Sequence, residues 1–334
     1  TVDGAGTTQV GDGGAIAGVV SGGGGISKYG SGKLVLYGNN TYEGLTLIRQ
    51  GALNIRSDNA LGAATGPTDI GSWSSLEIEN NITVPEPLYI ANWGNQFDFD
   101  FGGALHSISG VNTWTGVVTM VRNDSTSIAV DTGSTLDIEG QLLGHQPGAN
   151  QQLRKFGGGT LELSGTQSND FNGDVQIYRG TLRLNKSGGA LALNSSSIWL
   201  GDNNAYVKGL GAGDTTIGDN SAVLEIAQSN QFAYIDMYGV NMLTLTMNAG
   251  GKVQFAPGVS QTVGHLVMYE GPAWSSDIDV NGGTLTVLGN LTLNAFQGSS
   301  GGTAEGVFNG SPAARIYSST GGGSLDLGTN WSGI

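Results

Sequence analysis

The carboxylates of Phe97-Asp98-Phe99-Asp100-Phe101 are the residues best spaced to do chemistry. On a β-strand, alternation puts Asp98 and Asp100 on one face about 7 Å apart. That separation suits paired carboxylates in glycoside hydrolysis, or an oxygen cage for Ca²⁺. The same alternation has a plainer account, with three phenylalanines facing a core and two aspartates facing water. A lyase built on such a pair also needs a basic side chain close by, and the basic residues are scattered, with Arg122 and Asp124 the nearest neighbours in sequence. His106, His145 and His265 lie far apart, with no partner at metal-ligand spacing. Ser107, Ser109 and Ser187 have Gly-rich surroundings but no Gly-x-Ser-x-Gly elbow between strand and helix. The run Gly22 to Gly25 is not followed by Gly-Lys-Ser/Thr and is no phosphate loop. No catalytic residue, metal or cofactor is therefore expected, and a polysaccharide-degrading β-helix enzyme is the most distant reading.

Binding is a stronger candidate than turnover. Trp73, Trp93, Trp114, Trp199, Trp274 and Trp331 could stack on sugar faces if exposed. Trp93 and Trp114 flank the Phe/Asp segment, within an irregular stretch at 86–130 where the simple pattern of the rest lapses. The ligand-binding set is accordingly Trp93, Asp98, Asp100 and Trp114, facing a glycan or a cell-surface receptor.

The elements that would position these residues are short strands. Lys33-Leu34-Val35-Leu36, Thr135-Leu136-Asp137-Ile138, Thr160-Leu161-Glu162-Leu163, Thr181-Leu182-Arg183-Leu184 and Thr284-Leu285-Thr286-Val287 alternate strictly and are bounded by Gly or Asn. Nothing keeps a helical period. Leu34 to Leu53, Leu53 to Leu76, Leu136 to Leu161 and Leu161 to Leu182 give a drifting spacing of about 19 to 25 residues, the size of one solenoid turn. Each strand can bury only its inward Leu or Ile, so coils must stack about 4.8 Å apart to form continuous aliphatic columns. Corner Asn, as at Asn39, Asn40, Asn54 and Asn185, is expected to tolerate the left-handed region and to bond neighbouring backbone.

Composition agrees with an elongated all-β chain. Of 334 residues, 59 are Gly, 7 are Pro and none is Cys, which excludes disulfides and thiolate sites. A formal net charge of −14 repels phosphate backbones, so nucleic acid is excluded as a partner. No apolar run is long enough to cross a bilayer as a helix, and the chain is read as not itself membrane-spanning. The start, Thr1-Val2-Asp3-Gly4, is compatible with an exported protein whose signal peptide has been removed.

A longer unit occurs twice. Lys28-Tyr29-Gly30-Ser31-Gly32-Lys33-Leu34-Val35-Leu36-Tyr37-Gly38 matches Lys155-Phe156-Gly157-Gly158-Gly159-Thr160-Leu161-Glu162-Leu163-Ser164-Gly165 without a gap. After a two-residue insertion, Tyr42, Gly44, Gly51 and Leu53 match Phe171, Gly173, Gly180 and Leu182. With Asn40-Thr41-Tyr42 and the closing Ala60-Leu61-Gly62, the first copy resembles the passenger-associated transport repeat of autotransporter passenger domains. The second copy keeps the glycines and leucines but replaces Tyr by Phe. The resemblance covers 24–62 and 153–192, and it implies a bacterial protein that is secreted or held at the cell surface.

The expected molecule is a single right-handed β-solenoid over residues 1–334, its handedness carried by the resemblance and its length roughly fifteen coils at about 22 residues each. The expected function is a surface scaffold or adhesive element, able to assemble head to tail into a filament through its terminal coils. A glycan- or host-binding adhesin is the alternative. The paths of 86–130 and 295–320 are left open by the sequence.

Overall fold

A computed structural model describes residues 2–3, 8–10, 14–91, 103–121, 125–144, 151–201, 222–232, 243–248, 250–270, 276–295 and 315–327. The described residues are all β, with 34 short strands in sheets of twelve, nine, seven, three and three strands. Pairings are parallel, and strands adjacent in one sheet are separated in the chain by strands of the others. The chain therefore winds from sheet to sheet and returns one step along, which is a solenoid.

Alternation becomes packing through register. In the twelve-stranded sheet one inward column runs Leu34, Leu53, Leu76, Leu105, Ile128, Lys155, Ile177, Leu200, Met247, Met268 and Leu293. In the nine-stranded sheet another runs Val84, Trp114, Ile138, Leu163, Leu184, Ile226 and Phe255. These side chains belong to one buried cluster, apart from Lys155 and the exposed Leu293. Strands within 86–130, such as Leu88–Ile90, Val111–Trp114 and Ser125–Val130, take places in the same ladders.

Corners rely on glycine where coils touch. Gly51 and its counterpart Gly180 have φ of 71° and 65°. A Cβ on Gly51 would run into the carbonyl oxygens of Gly30 and Gly32, and one on Gly180 into those of Gly157 and Gly159. Both the positive φ and the close approach demand Gly. Among the described residues the left-handed asparagines are Asn80, Asn81, Asn230 and Asn281, not the expected Asn39, Asn40, Asn54 and Asn185. Asn40, Asn54 and Asn185 act through their side-chain amides instead, with Asn54 and Asn185 donating to Glu77 and Glu162 at 3.1 Å and 2.7 Å.

Candidate functional site

The repeat lysines are the least expected feature of the interior. Lys155 occupies an inward position between Ile128 and Ile177 and is fully buried, as is Lys28 next to Ile48. Lys28 Nζ donates to the carbonyls of Tyr29 at 2.8 Å, Gly30 at 2.7 Å and Gln50 at 3.2 Å. Lys155 Nζ donates to those of Phe156 at 2.7 Å, Gly157 at 2.7 Å and Arg179 at 3.2 Å. Each ammonium thus ties its own turn to the turn of the next coil. Burial pushes the pKa of Lys155 down to about 7, against the opposing charge of Asp131.

Asparagine supplies the second tie. Asn40 accepts from the Val20 amide at 2.8 Å and donates to the Ala60 carbonyl at 2.6 Å, joining the coil before to the coil after. Asn169 does the same between Leu142 at 2.8 Å and Ala192 at 2.9 Å. Sequence comparison of the two copies missed Asn169 because of the two-residue insertion. Its signal was there, since it stands two residues before Phe171 as Asn40 stands two before Tyr42.

The two interiors then diverge. The Tyr42 and Thr46 hydroxyls are hydrogen-bonded to each other in the core, and burial holds the Tyr42 phenol above its ordinary pKa. Phe171 and Val175 occupy the corresponding places, so both hydroxyls are lost together. Beside the first copy, Thr68 is the register partner of Thr46, and its Oγ1 is buried without a partner among the described residues. Glu86, two residues before the next strand of that sheet, is 0% exposed and neither carboxyl oxygen has a partner in any other described residue. Burial raises its pKa to about 7, opposed only in part by its own backbone amide.

Of the residues put forward from the sequence for ligand binding, Trp93, Asp98 and Asp100 lie outside the described residues, as do Arg122, Asp124, His145, Trp274 and Trp331. Trp114 is corrected by the structure. It is 0% exposed, and its indole N–H donates to the Glu86 carbonyl at 2.9 Å. Its rings fill the core column between Val84 and Ile138 and present no face to a ligand. His106 Nε2 shares a 2.8 Å hydrogen bond with Asp131, and His265 Nδ1 accepts from the Asn290 amide at 2.9 Å. Ser107 Oγ accepts from Asn112 at 2.9 Å, while the Ser109 carbonyl receives the same amide and Ser187 bonds Gly165. Among the described residues no three His, Asp or Glu side chains are grouped to hold a metal.

What the surface does offer is two contrasting outward rows. On the nine-stranded sheet, Asp137, Glu162, Arg183, Glu225, Gln254 and Asp279 follow one another. Arg183 lies 3.5 Å from Glu225 and 3.9 Å from Glu162. Burial raises the pKa of Asp137 to about 6, opposed by a bond from Ser164 and reinforced by Glu162 and Glu139. On the twelve-stranded sheet the row is Ser127, Arg154, Gln176, Trp199, Thr246, Val267 and Thr292, without a carboxylate, and within it Ser127 and Thr246 are buried. Trp199 is 38% exposed and Trp73 is exposed at a corner with φ 65°. The outward direction of Trp199 was legible, because Ile198 and Leu200 on either side point inward.

The family profile of the passenger-associated transport repeat matches residues 26–55 and 153–184, the two stretches that carry the lysine and asparagine ties. Those two stretches are copies of that repeat. The chain is 30% identical over 191 residues to the adhesin BmaC autotransporter of Brucella suis, an alignment covering 53% of this chain and 4% of that protein. It is 28% identical over 183 residues to the probable autotransporter YfaL of Escherichia coli, covering 53% of this chain and 13% of that protein. The chain thus spans a small fraction of the curated relatives it matches. No solved structure matches it. Both of these relatives bear the name autotransporter.

Proposed function

We propose that this passenger is the β-solenoid of a surface adhesin, a stiff support that holds an adhesive face away from the cell and performs no chemistry. One observation carries the reading. In both repeats the buried lysine and asparagine side chains are engaged in tying adjacent coils, while the outward rows differ from face to face. The Brucella relative, which bears the name adhesin, supports the same direction. Head-to-tail filament growth has only the general argument that a stacked sheet leaves its last strand unpaired, and the name of the Brucella relative favours adhesion over it.

Beads coated with the purified chain should bind animal-cell monolayers saturably and be displaced by the soluble chain. Binding no greater than that of albumin-coated beads would defeat the proposal. Turnover of a polysaccharide panel, lost in Asp98→Asn/Asp100→Asn, would replace it with the enzyme reading.

A further inference from the structure

We propose that Trp199, Tyr178, Gln176 and Arg154 form a glycan-binding platform on the outer face of the twelve-stranded sheet. It would take a chain of pyranose sugars whose apolar faces stack on the two aromatic rings. The inference rests on the adhesin reading and gives it a location.

The register sets the geometry. Trp199 is the partner of Gln176 one strand away, and Tyr178 lies two residues further along on the same side, about 7 Å from Gln176 along the strand. The Tyr178 ring is stacked on Phe156 with centroids 4.5 Å apart and planes 9° from parallel. Its hydroxyl donates to Gln176 Oε1 at 2.8 Å, which leaves the amide nitrogen of Gln176 as the donor. Arg154 bonds Gln152 at 3.2 Å, and Gln152 in turn reaches Asp174 at 3.5 Å, so a guanidinium, an amide and a carboxylate border the rings. Such a surface is ordered before any ligand arrives, which lowers the entropic cost of binding.

The first repeat is an internal control. At the places of Arg154, Gln176, Tyr178 and Trp199 it has Ser27, Leu47, Arg49 and Asp69, with Arg49 and Asp69 paired at 3.2 Å. The repeat therefore needs no aromatic or amide there, and the second copy carries them on the same backbone. Charge points the same way. In a chain of net charge −14 this row has one guanidinium and no carboxylate of its own, with Asp174 at its border, so a neutral sugar is not repelled and a carboxylated one can be met by Arg154.

The test is a glycan array probed with the full chain, carrying neutral and carboxylated hexose chains, followed by titration of the best binder. Trp199→Ala should weaken binding about tenfold, with Trp199→Phe recovering most of it. Circular dichroism and the melting temperature should not move, because Trp199 faces outward. Preference for carboxylated sugars that is lost in Arg154→Gln supports the platform with the acid at Arg154. Preference for neutral chains that survives Arg154→Gln supports it with stacking dominant. Unchanged binding in Trp199→Ala overturns the inference, as does adhesion to cells by a chain that binds no glycan. Both of those outcomes leave the adhesin reading standing, whereas failure of the chain to adhere removes both.

Discussion

The two repeats are built with the same ties and placed on different faces. In the first, Ile26–Lys28 and Thr46–Ile48 belong to the seven-stranded sheet and Lys33–Leu36 and Gly51–Ile55 to the twelve-stranded one. In the second, the counterparts Gln152–Phe156 and Val175–Ile177 lie in the twelve-stranded sheet and Thr160–Leu163 and Thr181–Leu184 in the nine-stranded one. The motif has moved on by one face, yet the lysine still reaches three carbonyls and the asparagine still joins two neighbouring coils. What the repeat encodes is therefore a local junction between coils, indifferent to which side of the solenoid carries it. Interior polarity and outward chemistry are added separately, as the Tyr42–Thr46 and Trp199 differences show.

If the junction is independent of face, Lys28→Met and Lys155→Met should cost the same, about 3 kcal/mol of local opening free energy each, since each strands three buried carbonyls. Hydrogen exchange of the strands on either side reads this out, and a large cost in only one copy would break the equivalence. A smaller effect probes the interiors. Tyr42→Phe should cost about 1 kcal/mol by orphaning the Thr46 hydroxyl, and adding Thr46→Val should restore most of it. Additive losses in that cycle would mean that the two hydroxyls do not act as a unit.

The smallest expected effect separates the polar interior near the first repeat by pH. Glu86, with its pKa raised to about 7, keeps its proton in the folded chain where the unfolded chain has released it. The folded state then binds more protons between the ordinary carboxylate range and about pH 7, so stability is present at acid pH and falls as pH rises through that window. Melting temperatures of the wild type should drop by a few degrees across the window, and Glu86→Gln should reduce that slope, most clearly above about pH 6 where Asp137 has already ionised. An unchanged slope would locate the pH response elsewhere.

Much of the fold was legible in the residue pattern. Leu34, Leu53, Leu161 and Leu182 face inward as their alternation says, and Gly51 and Gly180 hold the corners. The candidate binding residues were less so. Val111-Asn112-Thr113-Trp114 puts its two large apolar side chains at opposite parity, and hydrophobicity alone cannot say which one goes in. Register decides for Asn112 and Trp114, and leaves Val111 outside. Trp199 sits between two inward aliphatics and could have been chosen from the alternation.

By itself the sequence determined the strands, their inward sides, the glycine corners and the positions of the repeated Lys and Asn, because each follows from residue type and a period of two. Only the tertiary structure decided which face each repeat occupies and what those polar groups hold. The acceptors for Lys28 include Gln50 and those for Lys155 include Arg179, carbonyls that lie a full coil away along the chain. Coils of drifting length bring such groups together, and no local pattern records that length in advance.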